Sequence, residues 1–583
     1  PYHDLVRRAV VAHVPPEANA ARHAALASAL EGRLTEQPET LAIHWMEAGQ
    51  RARALGPALV AAEQATRALS FDRAARLHAL VLELLPPGDS RRTDLHLAHG
   101  KALTNAGRGA EAARAYLAAA ALATDGVVEL RRVAAELYLT SGHIDEGLAI
   151  LETVLQPLGI KISSTQLGAL GSLLMRRAQI RIGGVDLSRL REVIPQEDAT
   201  RIDACWSAAA GLGLVNTIQG AEFQARHFQL ALRDGDRYRA ARAIATEACY
   251  VSTGGVRASG RAARLLDLAA ELAHQVGDAR AIGIVAGARG VAAAQLGRWR
   301  EGRDANENGE AILRERCQGV AWELNTARLF RLVCMVYLGE MASVVAHLPA
   351  ALRESEERGD LNGMIGLQTG RTNAAWLVRD DPDEAERQLD DGLRRWSRRG
   401  YQLPHYQAWA ARVDVFLYRG RFREAFDLVE RERPALRRSL FLRVHLIRAI
   451  VDYAEARAAL AAARYTRGTE RTQLLNLALA AGKKLEKERA PWTSALAMLV
   501  EAQGLVAAGR RDQALDRFRE ARHALDAADM HLDAAVARRA YGLLLGGAAG
   551  GVEIREAEAW MMRERIVKID AMCSMLAPFG TVD

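Results

Sequence analysis

The chain has 583 residues, half of them hydrophobic, with only 15 Pro and a formal net charge of +7 from 78 basic and 71 acidic residues. Its five Cys (Cys205, Cys249, Cys317, Cys334 and Cys573) are scattered, which excludes a disulfide framework or a CxxC zinc spacing and suits small buried hydrophobes in a reducing cytoplasm. There is no signal-peptide pattern and no apolar run near the roughly 18 residues of a membrane span, the best candidate, AIGIVAGARGVAAAQLG, being broken by Arg289.

In chain order, residues 1–35 read as the end of one helical element and a linking helix. Residues 36–158 read as a first set of helical repeats, 159–200 as an irregular helical insertion, 201–545 as the main repeats, and 552–583 as a closing helix and tail. The start at Pro1, without an initiator Met, is expected of a segment of a longer protein. The repeat is plainest in LTNAGRGAEAARAYLAAAAL, Leu103–Leu122, where two Ala-rich stretches are pinched at Gly107. Ala, Leu, Arg and Glu lose little side-chain freedom in a helix. Counterparts put Gly142, Gly297, Gly339, Gly420 and Gly509 in the same turn. Asp380-Asp381-Pro382 supplies a weaker copy, and Gly220 and Gly260 centre degenerate ones. Spacings of about 35 to 42 residues indicate stacked helix pairs.

Glycine suits this turn because the first helix must end abruptly, often through a left-handed residue. Five positions later comes a small or modest residue: Ala112, Gly147, Gly302, Val344, Ala385, Ala425 and Ala514. There the second helix crosses the first closely. Gly100 and Gly290 mark further close approaches, and large apolar residues (Leu103, Tyr138, Met335, Trp376, Phe416, Leu505) fill the space between neighbouring pairs. The alternation of small and large resembles the tetratricopeptide repeat, in somewhat longer units. The expected fold is therefore all-α, a TPR-like right-handed superhelical solenoid of antiparallel helix pairs. The row expected to line its concave side, Thr104, Leu139, Ala294, Val336, Leu377, Leu417 and Val506, is mostly apolar. It predicts a tightly wound superhelix packing its own interior, with an apolar ligand as the alternative.

Four stretches carry a further resemblance. PYHDLVRRAVVAHVPPEANAARHAALASALE resembles the last winged-helix helix of STAND-type signalling ATPases and the segment after it, and LAIHWMEAGQRARALGPALVAAEQ resembles the region leading into their repeats. RIDACWSAAAGLGLVNTIQGAEFQARHFQLALRDGDRYRAARAIATEA, Arg201–Ala248, resembles the repeat region of large bacterial proteins that join a serine/threonine kinase to an AAA/STAND ATPase and TPR-like repeats. IREAEAWMMRERIVKIDAMCSMLAPFG resembles their C-terminal helix and tail. The resemblance implies a non-catalytic sensor and scaffold region, with ATP or ADP and Mg²⁺ bound by the parent's other domains and no cofactor in this segment. It implies partners in cis, the upstream ATPase and kinase, besides an unidentified protein or small ligand and self-association. His3, in YHDL, falls where such ATPases carry a phosphate-sensing His. The alternative is the similar layout of maltose-activator-type transcription regulators. Those end in a helix-turn-helix domain, and LAPFGTVD does not.

No catalytic constellation accompanies these features. HGKALT and AGKKLEK fall short of a phosphate-binding GxxxxGK[ST], no kinase HRD or DFG motif occurs, and the 15 His are dispersed. Between Arg394 and Arg448 stand 14 Arg against five acidic residues. This predicts a solvated basic face, with an acidic partner or phosphates as the alternative. No nucleic-acid-binding module accompanies it, so neither nucleic acid nor membrane is an expected partner. The residues expected to bind a partner are Arg371, Asn373, Trp376, Tyr406, Trp409 and Arg412, since Arg and aromatic side chains anchor interfaces.

Overall fold

The computed structural model describes residues 13–163, 165–215, 217–397 and 400–579. His3 lies outside them. The chain divides into two compact units, Pro1–Tyr138 and Leu139–Asp583.

The described part of the first unit is a succession of helices, α1 (Pro16–Leu30), α2 (Pro38–Glu47), α3 (Arg51–Arg67), α4 (Phe71–Leu84), α5 (Arg92–Asn105), α6 (Gly109–Leu122) and α7 (Val127–Thr140), the last carrying the boundary. Each packs on the next from α1 to α6. Trp45 of α2 is buried and is covered by the Arg53 guanidinium, 3.6 Å from the ring centre. Gly107 takes φ +77°, and the tile read from Leu103–Leu122 is the α5–α6 hairpin.

The second unit opens with α8 (Ile144–Leu155) and α9 (Gln166–Gly183), then continues as helix pairs. These are α10 (Gln196–Val215) with α11 (Thr217–Asp234), α12 (Arg237–Ser252) with α13 (Ser259–Val276), α14 (Ala279–Gln295) with α15 (Trp299–Arg316), and α16 (Ala321–Leu338) with α17 (Met341–Glu357). In the next pair the first helix is broken into α18 (Leu361–Thr369) and α19 (Ala374–Val378), and the second is α20 (Pro382–Arg395). Then follow α21 (Leu403–Tyr418) with α22 (Phe422–Arg438), α23 (His445–Arg464) with α24 (Gly468–Lys487), α25 (Pro491–Ala507) with α26 (Arg511–Ala527), and α27 (His531–Leu545) with α28 (Gly547–Arg563). A final helix, α29 (Ile569–Leu576), closes the series. Among the described residues the only β pairing is an isolated bridge between Arg191 and Asp236.

The expected turn residues do their work. Gly142, Gly297, Gly339, Gly420 and Gly509 all have φ between +72° and +87°, and Asp380 adopts the same conformation at +58°. Asp236, Asp278, Asp360 and Asp381 start helices by accepting a backbone N–H two or three residues into the first turn. The close-crossing positions Gly302, Val344, Ala385, Ala425 and Ala514 are buried. Gly220 and Gly260 are a correction. Both lie inside helices, α11 and α13. A Cβ on Gly220 would meet the backbone of Gly213, so this glycine permits a helix contact and ends nothing. The turn after α12 instead uses Gly255, at φ +73°.

First helices of successive pairs touch one another, from α12 to α14, α16, α18, α21, α23 and α25. They form an inner layer, and the second helices lie outside it. The inner layer also meets itself. The Ser141 carbonyl accepts from the amides of Leu361 (3.0 Å) and Asn362 (3.3 Å), at the start of α18. The Thr253 carbonyl accepts from His445 at the start of α23, 2.8 Å away. Gly297 lies against Trp492 of α25, and Gly339 against Leu532 of α27. In each case a turn abuts the first helix of the fifth pair further on, so the superhelix completes a revolution in about five pairs and stacks on itself. The carbonyls of one revolution satisfy amides that the helix starts of the next leave open. Of the predicted row, Leu139, Ala294, Val336, Leu377 and Leu417 are at most 6% exposed and form a self-packed interior, while Thr104 and Val506 are half-buried.

Candidate functional site

At the centre of this coil the inner helices bring together charges from four pairs. Arg371, in the turn between α18 and α19, donates through Nη1 to Asp414 Oδ2 of α21, 2.7 Å away. Arg457 of α23 donates through Nη2 to the other oxygen, Oδ1, also at 2.7 Å. Asp533 of α27 faces both guanidiniums, and burial pushes its carboxyl up to about 6. The Arg371 guanidinium lies 5.2 Å from the centre of the Tyr337 ring, and that of Arg457 4.6 Å from Tyr453. Burial lifts the Tyr337 hydroxyl to about 12. Trp299 stacks on Tyr337 at 3.9 Å and meets Trp492 edge-on at 5.5 Å. Two cations thus balance two carboxyls, which makes enclosing them tolerable.

The channel is also occupied by the chain's own C-terminal segment. Helix α29 packs on α21 and α27, with Met572, Cys573, Met575 and Leu576 at most 4% exposed. Its main chain is held by side chains of the inner helices. Tyr453 Oη donates to the Leu576 carbonyl (3.1 Å), Arg457 Nη1 to that of Met575 (3.2 Å) and Arg464 Nη1 to that of Pro578 (2.8 Å). The Phe579 amide donates to Gln503 Oε1 at 3.1 Å. Chemically this is main-chain recognition of a peptide. The one thiol it brings, Cys573, is pushed up to about 12 by burial and is no nucleophile near neutral pH.

The structure disperses the six expected partner residues. Arg371 belongs to the charge network. Asn373 is buried and donates to the carbonyls of Gln368 (2.9 Å) and Ala385 (3.1 Å), holding the broken helix to α20. Tyr406 and Trp409 are buried neighbours on α21, with ring centres 6.2 Å apart. Trp376 is half-buried beneath Arg379. Arg412 is paired with Asp390 of α20. The structure places Arg371 and Tyr406 at the interior charge network, sets Trp409 against α22, α23 and α24, and puts Asn373, Trp376 and Arg412 in contacts between helices.

Asp414, Arg457 and Asp533 were not singled out from sequence. A signal for two of them was present: Arg371, Asp414 and Arg457 are spaced 43 residues apart, one per successive pair. The Arg-rich stretch is largely answered by carboxylates on neighbouring helices. Arg419 pairs with Asp383, Arg421 with Glu386, Arg423 with Glu470, Arg433 with Glu455 and Arg448 with Glu488. The local excess of charge in sequence is therefore an inter-helix match in space.

No protein-family model matches the chain, and no curated protein matches it. Among solved structures, the chain is similar to the crystal structure of yeast Tom70 at 11% sequence identity and a TM-score of 0.25, over 89% of this chain and 98% of that one. At that score the likeness carries no argument, and the helical-repeat architecture rests on the packing of the helix pairs themselves.

Proposed function

We propose that the chain is a non-catalytic binding and scaffolding region of a larger signal-transducing ATPase, linked to a serine/threonine kinase, that binds a protein or small ligand and biases the state of the attached domains. One observation supports the binding role above others. The inner helices already hold a stretch of polypeptide by its main-chain carbonyls, through Tyr453, Arg457 and Arg464. The winged-helix-like start and kinase–ATPase-like middle of the sequence motivate the parent. Control would run through a population shift, in which the ligand must bind one arrangement of the parent more tightly than the other. The purified chain is to be tested against MgATP, random duplex DNA and, supplied in trans, the polypeptide encoded directly upstream of Pro1. Binding to that polypeptide, without ATP turnover and without DNA binding, is the expected result. Intrinsic ATP hydrolysis or tight DNA binding would overturn the reading.

A further inference from the structure

In the second unit, α9 packs on α11 and leaves a cleft of about 870 Å³ between itself, the start of α11, the end of α12, the start of α13 and the turn before α23. The floor is apolar, built from Leu173, Ile180, Ile218, Val251, Leu265 and Leu268. The rim is basic: Arg177 and Arg181 on α9, Arg257, Arg261 and Arg264 at the start of α13, and Arg443 opposite. Arg177 is paired with the buried Glu247. Arg261 also acts on Glu247 through its charge, and among the described residues no carboxylate pairs with Arg181, Arg257, Arg264 or Arg443. This contrasts with the Arg-rich stretch further on, where neighbouring helices answer the charge. The mouth of the cleft is also unusually apolar for a surface. On α9, Leu174, which lines the cleft, is 58% exposed.

The placement of the charges selects the occupant. A single anionic head group would need cations converging on one point. Here they run in rows, Arg177 and Arg181 one turn apart on one wall, and on the other Arg257 in the 3-10 turn that leads into α13, followed by Arg261 and Arg264 within the helix. An apolar trough between two rows of cations at helical spacing complements a helix with an apolar face and carboxylates along both flanks.

We propose that the cleft between α9 and α13 is the docking site for an acidic amphipathic helix of a partner protein, its apolar side chains on the Leu173–Leu268 floor and its Asp and Glu on the two arginine rows. The proposal rests on the scaffold reading above and gives that scaffold a partner chemistry. A bound helix would also tie α9 to α13, covering the exposed side of α9.

The test is a selection of displayed helical peptides about 16 residues long, enough for about four turns, against the full 583-residue chain. Enriched peptides should carry Leu, Ile or Met at i, i+3, i+4 and i+7 with Asp or Glu beside them. Their affinity should fall as salt rises from about 50 to about 300 mM. The double variant Arg181→Glu/Arg264→Glu changes one exposed, unpaired residue on each wall. It should keep the circular dichroism of the parent and lose affinity by about tenfold or more. It should also gain affinity for a copy of the best peptide with Glu replaced by Lys. That exchange of preference separates recognition from misfolding. Enrichment of peptides without acidic residues, or indifference to the charge reversal, would overturn the proposal. So would palmitate or phosphatidylglycerol vesicles occupying the cleft while no acidic peptide is enriched. ATP turnover or DNA binding by the chain would sink the scaffold reading and leave this peptide result standing, so the two failures are distinct.

Discussion

A carboxyl group placed beside two guanidiniums is not necessarily better off ionised. Asp414 accepts a hydrogen bond from each of Arg371 and Arg457, while Asp533 faces the same cations with most of its hydration lost. Burial prevails there and raises its carboxyl from 3.8 to about 6. The folded state therefore holds this proton more tightly than the unfolded chain does. The associated stability is complete below about pH 4 and is lost as pH rises through about 6. The difference corresponds to about 3 kcal/mol at most. Asp533→Asn mimics the protonated acid, so it should leave stability unchanged near about pH 4 and raise it, by up to about 3 kcal/mol, at about pH 7.5. Urea denaturation of both proteins at the two pH values reads this directly. Equal destabilisation at both would show that the ionised carboxylate is a net stabilising partner of the arginines. Asp452, which burial also lifts to about 6, titrates in both proteins and cancels in the comparison.

At the scale of single elements, the inner and outer helices obey different rules. From Asp452 to Ala463 every residue of α23 is buried, which its run of alanines permits. The outer helix α20 buries Ala385, Gln388, Leu389 and Gly392, the spacing of one face. A helix enclosed on all sides needs small residues to let its neighbours approach, and those same residues made the pairs legible in sequence. Glycine was harder to interpret because it serves two purposes. At Gly297 and Gly509 it takes a left-handed turn, at φ +76° and +72°, whereas at Gly220 it admits a neighbouring helix. Leu69, Arg489 and Asp529 take left-handed turns without glycine, so the residue type alone locates only part of the turns. The two turn glycines also differ from each other. A Cβ at Gly509 meets nothing, whereas one at Gly297 would collide with the Trp492 indole of the next revolution. Gly509→Ala should cost about 1–2 kcal/mol from backbone conformation. Gly297→Ala should cost a further 1–3 kcal/mol or so from overpacking. Equal losses in chemical denaturation would mean that the contact between revolutions contributes nothing.

At the scale of the second unit, the repeat and its self-packed interior were visible in sequence, but what fills the interior was not. The register of small and large residues reports contacts between neighbouring pairs, a distance of about 40 residues. The contacts that close the coil join Gly255 to His445 and Gly297 to Trp492, each in the fifth pair beyond, and depend on small rotations accumulated over every intervening pair. No local pattern encodes that sum. The docking of α29 depends on it in turn, because Tyr453, Arg457, Arg464 and Gln503 form one wall only once α23 and α25 stand side by side. The segment is consequently a test of the whole coil. Deleting Val567–Asp583 removes four buried side chains of α29, each contributing about 1.5–3 kcal/mol, and opens the inner faces of α21 and α27. The truncated chain should unfold at lower urea concentration and bind more of an apolar dye than the full chain does. A peptide spanning Lys568–Asp583, added in trans, should displace the additional dye and restore stability, while a scrambled peptide of the same composition should do neither. Unchanged stability with no additional dye binding would mean that the inner helices complete their own core and that the terminal segment merely lies upon it.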